Sequence, residues 1–255
     1  MTEPLIHLRD KVAIVTGASR GIGEAIARTF ADHGAKVVVA SRKIDGLTPG
    51  AASIRDAGGE ATAIACHTGK EEMVEELVAR TVETYGRVDV LVNNAATNPH
   101  FGPMLSVDGG AWDKTFEVNV KGYFMAARAV ARHILGRNGQ GSIVNIASVA
   151  GLMAMPLQGV YAMTKAAVIS MTKTLSVELG PDVRVNAIAP GLIETRFAAA
   201  LTQNEEILQT VLDRTSLKRV GQPTEVAGAA LLLASDAGGY FNGAVLTPDG
   251  GWSVG

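Results

Sequence analysis

Lys11-Val12-Ala13-Ile14-Val15-Thr16-Gly17-Ala18-Ser19-Arg20-Gly21-Ile22-Gly23 is the stretch whose reading decides the fold. Its first half is a short apolar run with β-branched residues, which is how a strand buried on both faces reads. A glycine-rich turn stops it. From Ile22 to His33 the apolar positions Ile22, Ala25, Ile26 and Phe30 recur at helical spacing, and Gly34 supplies the stop. Lys36-Val37-Val38-Val39-Ala40 is a second buried strand. Strand, glycine turn, helix and strand form one βαβ unit, and the right-handed crossover makes its two strands parallel.

Working outward, the alternation repeats. Ala61 to Ala65, Val88 to Val92, Ser142 to Ala147, Val183 to Ile188 and Ala244 to Thr247 read as strands three to seven, with helical patterns between them. Met73, Leu77 and Val78 mark the helix before the fourth strand, and the long segment Ala111 to Leu135 leads to the fifth. Asp45-Gly46-Leu47-Thr48-Pro49-Gly50 puts breakers where a helix should begin, so that helix is expected to start late, with Thr48 as cap and Pro49 in its first turn. No linker, repeat or shift in composition divides the chain. The expectation is one α/β domain over residues 1–255, a Rossmann-type doubly wound parallel sheet of seven strands with helices on both faces, binding its ligand beyond the carboxyl ends of the strands.

The 255 residues are 47% hydrophobic, ample for a large core, and the formal net charge of -2 leaves no basic excess for nucleic acid. A single cysteine, Cys66, excludes an internal disulfide and has no activating pattern around it. Met1-Thr2-Glu3-Pro4 has no basic, apolar leader pattern, no segment reaches the apolar length of a membrane span, and Ser253-Val254-Gly255 is not a peroxisomal address. These features lead us to expect a soluble, cytoplasmic protein.

Lying between a strand and a helix, the glycine turn suits a pyrophosphate: its backbone lets the phosphates approach the helix N-terminus. At the end of the second strand, where an acidic side chain would hold the ribose hydroxyls of NAD, stands Ser41-Arg42-Lys43, with no carboxylate. Arg42 can pair with a 2′-phosphate, Ser41 can donate to it and Arg20 can approach from the other side, so NADP(H) is expected over NAD(H).

Ser148 closes the fifth strand, and Tyr161-Ala162-Met163-Thr164-Lys165 opens a helix whose stripe of Val168, Met171, Leu175 and Leu179 turns Tyr161 inward. Tyr161 and Lys165, four apart, share one face. An ammonium beside a phenol favours the phenolate, and a Tyr with a reference pKa of about 10 needs a downward shift of a few units to exchange protons near neutrality. Alone, so short a motif also fits a buried aromatic and a solvated lysine.

Thr16-Gly17-x-x-x-Gly21-x-Gly23, Asn93-Asn94-Ala95-Ala96, Asn119, Ser148 and Tyr161-x-x-x-Lys165, in this order and separation, make nearly the whole chain resemble the short-chain dehydrogenases/reductases. Cys66-His67-Thr68-Gly69-Lys70, Asn94-Ala95-Ala96-Thr97-Asn98-Pro99 and Trp112-Asp113-Lys114 look like the NADPH-dependent carbonyl/retinal reductase subgroup. The resemblance implies hydride transfer between a nicotinamide and a ketone, aldehyde or secondary alcohol. In that scheme Tyr161 exchanges the proton, Ser148 binds the reacting oxygen, Lys165 lowers the Tyr161 pKa and holds the nicotinamide ribose, and Asn119 bends its helix around a water.

By the same resemblance, Gly17, Ser19, Arg20, Gly21, Ile22 and Gly23 hold the phosphates, and Asn94, Ala95 and Ala96 support the adenosine. The Pro190-Gly191-Leu192-Ile193-Glu194-Thr195 turn, through Ile193 and Thr195, holds the carboxamide. Where the family often has an aspartate for the adenine, this chain has His67-Thr68, and a structural histidine remains the alternative. His7, His33 and His133 read as surface residues, His100 could line the substrate cleft, and no pair is spaced for a metal.

Residues from about 192 to 220 are expected to form a substrate lid, lined by Leu192, Phe197, Leu201 and Leu208 with Met153, Met155 and Leu157 opposite. The apolar lining suggests uncharged carbonyls or alcohols. The C-terminal Pro248-Asp249-Gly250-Gly251-Trp252 resembles the family's tetramer-forming end, implying a homotetramer. An NAD-linked alcohol or sugar dehydrogenase, or a non-catalytic NADP-binding regulator, remain the alternatives.

Overall fold

Buried strands and amphipathic helices alternate because each strand must be covered on both faces. In the computed structural model, which describes residues 5–199 and 205–254, β1 (Val12–Thr16), β2 (Lys36–Ser41), β3 (Glu60–Ala65), β4 (Val90–Asn93), β5 (Gly141–Ile146), β6 (Val183–Ile188) and β7 (Val245–Leu246) form one parallel sheet. The order is β3-β2-β1-β4-β5-β6-β7. Chain order reverses between β1 and β4, and a crevice opens there at the carboxyl ends. β7 is shorter than its apolar run, pairing through Val245 and Leu246 with Ala187 and Ile188 of β6.

Alternate strand residues feed the two faces. Ala13, Val15, Val37 and Val39 pack under α1 (Gly21–Asp32), α2 (Thr48–Asp56) and α8 (Pro223–Ala234). Ile14, Val38 and Ala40 meet the opposite layer of α3 (Glu71–Tyr85) and α5 (Gly122–Gly136), which α6 (Gly159–Leu179) extends. α7 (Glu205–Arg214) lies within the segment after β6. No helix among the described residues is long and apolar enough to cross a membrane.

One local expectation is corrected. Thr48 does not cap α2: its hydroxyl donates to the Ile44 carbonyl, 3.1 Å away, Leu47 takes the cap position and Thr48 is already helical. A short 3-10 turn, Ile44–Gly46, delivers the chain straight into the helix, so the backbone ahead of Thr48 is not extended as a cap requires. The segment Ala111 to Leu135 is helical throughout, α4 (Gly109–Phe116) passing into α5 through a π turn, Glu117–Lys121, that bends the long helix at Asn119. At the amino ends of the strands, buried Asp89 accepts from the Val12 N–H at 2.9 Å and pairs with Arg87 and with Arg137, the latter at 2.7 Å.

Candidate active site

Gly17 and Gly21 adopt left-handed backbone, φ 65° and 61°, which side chains rarely tolerate. A Cβ on Gly17 would sit 2.8 Å from the Ala95 Cα, and one on Gly23 would meet both Asn94 Nδ2 and the Gly17 carbonyl at 2.5 Å. Asn94 explains that crowding, since its Nδ2 donates to the carbonyls of Thr16 (2.9 Å) and Gly17 (3.1 Å) and fastens the turn to the end of β4. Gly23 therefore serves packing and does not reach the cleft, while Gly17, Ser19, Arg20, Gly21 and Ile22 line it. No side chain caps the first turn of α1, so its amide donors remain for an anion. That arrangement fits the pyrophosphate of a dinucleotide.

The cleft, about 910 Å³, runs along the carboxyl ends of the strands. At one end stand Ser41, Arg42 and Lys43. Arg42 makes no hydrogen bond or ion pair with any described residue, which leaves its guanidinium for a ligand. The expectation that no carboxylate reaches this end is corrected: Asp45, brought round by the 3-10 turn, also lines the cleft. His67 and Thr68 line it after β3. His67 Nδ1 accepts from the Gly69 N–H at 3.0 Å, and Nε2 faces Lys114 Nζ at 3.1 Å, itself held by Glu117 at 2.9 Å. Burial, then the Lys114 charge, lowers the His67 pKa and favours the neutral ring. Ala95 and Ala96 form the floor.

Asn119 sits at the centre of the π turn, where an extra residue bends the helix. It is fully buried and lies outside the cleft. Its Oδ1 accepts from the Thr97 N–H at 2.8 Å, and Nδ2 donates to the Thr97 carbonyl (2.9 Å) and to Thr164 Oγ1 (3.1 Å). Asn119 thus ties the loop after β4 to the turn of α6 that precedes Lys165.

Ser148, in extended backbone after β5, accepts from the Ala150 N–H at 3.1 Å and starts a 3-10 turn. α6 brings Tyr161 and Lys165 to the cleft beside it, 9% and 1% exposed. Lys165 Nζ donates to the Ile146 carbonyl at 2.7 Å and lies 5.5 Å from the Tyr161 ring centre. Burial pushes the Tyr161 phenol up to about 12, against the hydrogen bond with Ser148, and pushes the Lys165 amine down to about 7. A phenol depressed by its lysine is therefore not what the protein alone produces. Desolvation disfavours both charged forms, and an amine titrating near neutrality supplies only part of a charge to its neighbour.

Pro190, Gly191, Ile193 and Thr195 follow β6 on the far side of Tyr161. A Cβ on Gly191 would come 2.8 Å from the Asp249 Cα, and one on Gly21 would come 3.2 Å from Thr195 Cγ2, so this turn is pressed against both the C-terminal segment and the glycine turn. Thr195 Oγ1 accepts from the Ala198 N–H at 3.3 Å. The Phe197 ring stands 5.7 Å from that of Tyr161, tilted by 45°. Leu192, Met155 and Leu157 line the cleft with it, but Met153 does not, and α7 contributes Thr210 and Val211 in place of the expected Leu208. Leu201 lies outside the described residues. Polar groups absent from the sequence expectation also line this end, namely Arg196, Asn98 and Gln158. His100 Nε2 donates to the Pro103 carbonyl of its own loop at 3.3 Å and stays out of the lining, while Phe101 takes part in it.

Cys66 is buried and its thiol is pushed up to about 11 by desolvation, so it is no nucleophile. His133 is not merely a surface residue, as its Nε2 accepts from the Val88 N–H at 3.2 Å and docks α5 on the start of β4. No group of three metal-ligating side chains occurs among the described residues. Tyr123, unremarked in sequence because it lies in an apolar helical pattern, is fully buried directly beneath Lys165.

Sheet order, glycine turn and cleft define a doubly wound dinucleotide-binding α/β protein. A family profile described as enoyl-(acyl carrier protein) reductase matches residues 17–253. Dehydrogenase/reductase SDR family member 4 of Homo sapiens is 40% identical over 96% of this chain and 88% of its own, and short-chain dehydrogenase/reductase SDRA of Arabidopsis thaliana is 38% identical over 96% and 95%. Among solved structures, a gluconate 5-dehydrogenase from Burkholderia cenocepacia, in complex with NADP and tartrate, superposes with a TM-score of 0.94 at 34% identity, over 98% of each chain. This chain belongs to the short-chain dehydrogenase/reductase family and is an oxidoreductase of that type.

Proposed function

We propose that the protein transfers a hydride between NADP(H) and a ketone, aldehyde or secondary alcohol, in the manner of the carbonyl reductases. The observation that carries this reading is the meeting of Ser148, Tyr161 and Lys165 at one end of a cleft whose other end presents Arg42, which has no hydrogen-bond or ion-pair partner among the described residues. When bound, the nicotinamide supplies or accepts the hydride at C4. Tyr161 gives its phenol proton to the carbonyl oxygen in reduction and takes it from the carbinol in oxidation, while Ser148 Oγ hydrogen-bonds that oxygen. Lys165, in its protonated form, favours the phenolate, and Asn119 ties the loop after β4 to α6. The α1 amides and the glycine turn would hold the pyrophosphate, Ser41, Arg42 and Arg20 the 2′-phosphate, and His67, Thr68, Asn94, Ala95 and Ala96 the adenosine. Pro190, Gly191, Ile193 and Thr195 would hold the carboxamide, and residues 192–220 close over the substrate as a lid.

Turnover of a carbonyl and alcohol panel with both cofactors tests the proposal. NADPH should give the higher kcat/KM with uncharged carbonyls, and Arg42→Ala should remove that advantage. Equal use of NADH by the unaltered enzyme would refute the NADP assignment. A second reading, oxidation of a polyhydroxy acid, draws on Arg196 beside Asn98 and Gln158 in the lining, with Asp45 available to the ribose of NAD. Turnover confined to anionic sugar acids would select it. A non-catalytic regulator would bind NADPH tightly and turn over no carbonyl. We also take the enzyme as a cytoplasmic homotetramer joined through its C-terminal segment; a monomeric mass in solution would refute the assembly.

A further inference from the structure

Lys165 is the most buried charge-bearing side chain of the site, and what surrounds it is unusual for an ammonium. Among the described residues no carboxylate forms an ion pair with it. The titratable groups that face it are two phenols, Tyr161 from its own helix and Tyr123 from α5. Tyr123 is 0% exposed, and its hydroxyl accepts from Lys165 Nζ at 3.3 Å while donating to the Ile146 carbonyl at 3.2 Å. Nζ donates to that same carbonyl at 2.7 Å and stands 5.0 Å from the centre of the Tyr123 ring. Nζ, the phenol oxygen and the carbonyl oxygen thus close a triangle at the end of β5, past the last β4 pairing at Asn93–Asn145.

The triangle is held rigidly. Gly122 lets α5 approach the Thr68 carbonyl so closely that a Cβ would stand 2.9 Å from it, and Asn93 Nδ2 donates to the Tyr123 carbonyl at 3.1 Å. Two of the three Nζ hydrogens are thereby committed within the protein, and Lys165 itself lines the cleft.

We propose that Tyr123 is a positioning residue of the reaction: its hydroxyl and ring hold the Lys165 ammonium charged and aimed at the cleft. It is not a catalytic residue, because it is sealed from the cleft and from solvent. A neutral phenol oxygen accepting from an ammonium stabilises the charged form, and an electron-rich ring face does the same. Burial keeps Tyr123 protonated, its pKa raised well above the ordinary value by desolvation and then by Tyr161, so its hydroxyl acts as a fixed dipole at working pH.

The inference rests on the proposed role of Lys165 beside Tyr161, and its test is chosen to stand apart from turnover. The Nζ resonance of Lys165, assigned by its loss in Lys165→Met, is titrated by NMR in ligand-free protein, native and Tyr123→Phe. Deleting the hydroxyl alone should move the midpoint down by about one pH unit, a tenfold change in proton affinity, and Tyr123→Leu, which also removes the ring, should move it further. In Tyr123→Phe the acid limb of the alcohol-oxidation profile should shift upward, with kcat reduced about tenfold and KM for the alcohol within twofold, as a weaker Lys165 charge leaves Tyr161 harder to ionise. An unchanged Nζ midpoint in a folded Tyr123→Phe protein overturns the proposal. A shifted midpoint with unaltered turnover would instead overturn the role given to Lys165.

Discussion

Replacing Lys165 with Met removes a charge that the fold must bury and keeps an unbranched side chain of similar volume. Burial moves the amine from 10.5 to about 7, which at about 1.4 kcal/mol per unit is roughly 5 kcal/mol held against the ammonium. The sign follows from proton counting. Between about pH 7 and 10.5 the unfolded chain carries a proton on Lys165 that the folded chain has shed, so raising the pH stabilises the fold; below pH 7 both states are protonated and the full cost persists. From pH 7 to 9 this one group should add roughly 2 kcal/mol to the native stability. Lys165→Met should lack that slope and should be the more stable protein at pH 6, since Tyr123 still donates to the Ile146 carbonyl that the amine leaves. Urea unfolding of ligand-free protein, followed by the fluorescence of Trp112 and Trp252 at each pH, measures both curves. Native and variant curves that run parallel from pH 6 to 9 would refute the reasoning, because the buried amine would then have the same proton affinity folded and unfolded. The variant should meanwhile lose turnover, so the experiment separates what Lys165 costs the fold from what it does for the reaction.

Three further outcomes follow from the geometry. Tyr161→Phe keeps the ring contact with Phe197 and deletes the proton donor, so kcat should fall by about a thousandfold with the melting temperature unchanged or raised, measured by steady-state kinetics and calorimetry; near-normal turnover would dismiss the mechanism. Gly23→Ala forces a methyl to 2.5 Å from a backbone carbonyl and from Asn94 Nδ2, which should cost about 1–3 kcal/mol and weaken NADPH binding in a fluorescence titration. Asp89→Ala strands Arg87, Arg137 and the Val12 N–H at the far end of the sheet; we expect about 3 kcal/mol of destabilisation in chemical unfolding, with kcat/KM within twofold in the protein that remains folded.

Much of this was legible because it depends on local periodicity and on residues close in sequence. The run Val12–Thr16 had to be buried on both faces, and it is, since Ala13 and Val15 pack into one helix layer and Ile14 into the opposite one. The glycine turn was readable for the same reason, being short, local and set between a strand and a helix. Tyr161 and Lys165, four apart on one helix, had to share a face. Element ends were read less well where another element intervened: Thr48 lost its cap role to a preceding 3-10 turn. The partners that hold Asn119 at the bend of its helix, Thr97 and Thr164, stand 22 and 45 positions away and no local spacing shows them.

The sequence by itself determined the alternation of strands and helices, the position of the glycine turn and the identity of the reactive side chains, because each follows from spacing along one segment. Only the tertiary structure decided their electrical state and their company. Desolvation is a property of everything packed around a group, so no spacing could show that the phenol is raised, that the amine is lowered or that Asp45 reaches the cleft. Nor could it show Tyr123 beneath Lys165, because 42 residues separate two side chains that the π turn and the end of β5 bring to 3.3 Å.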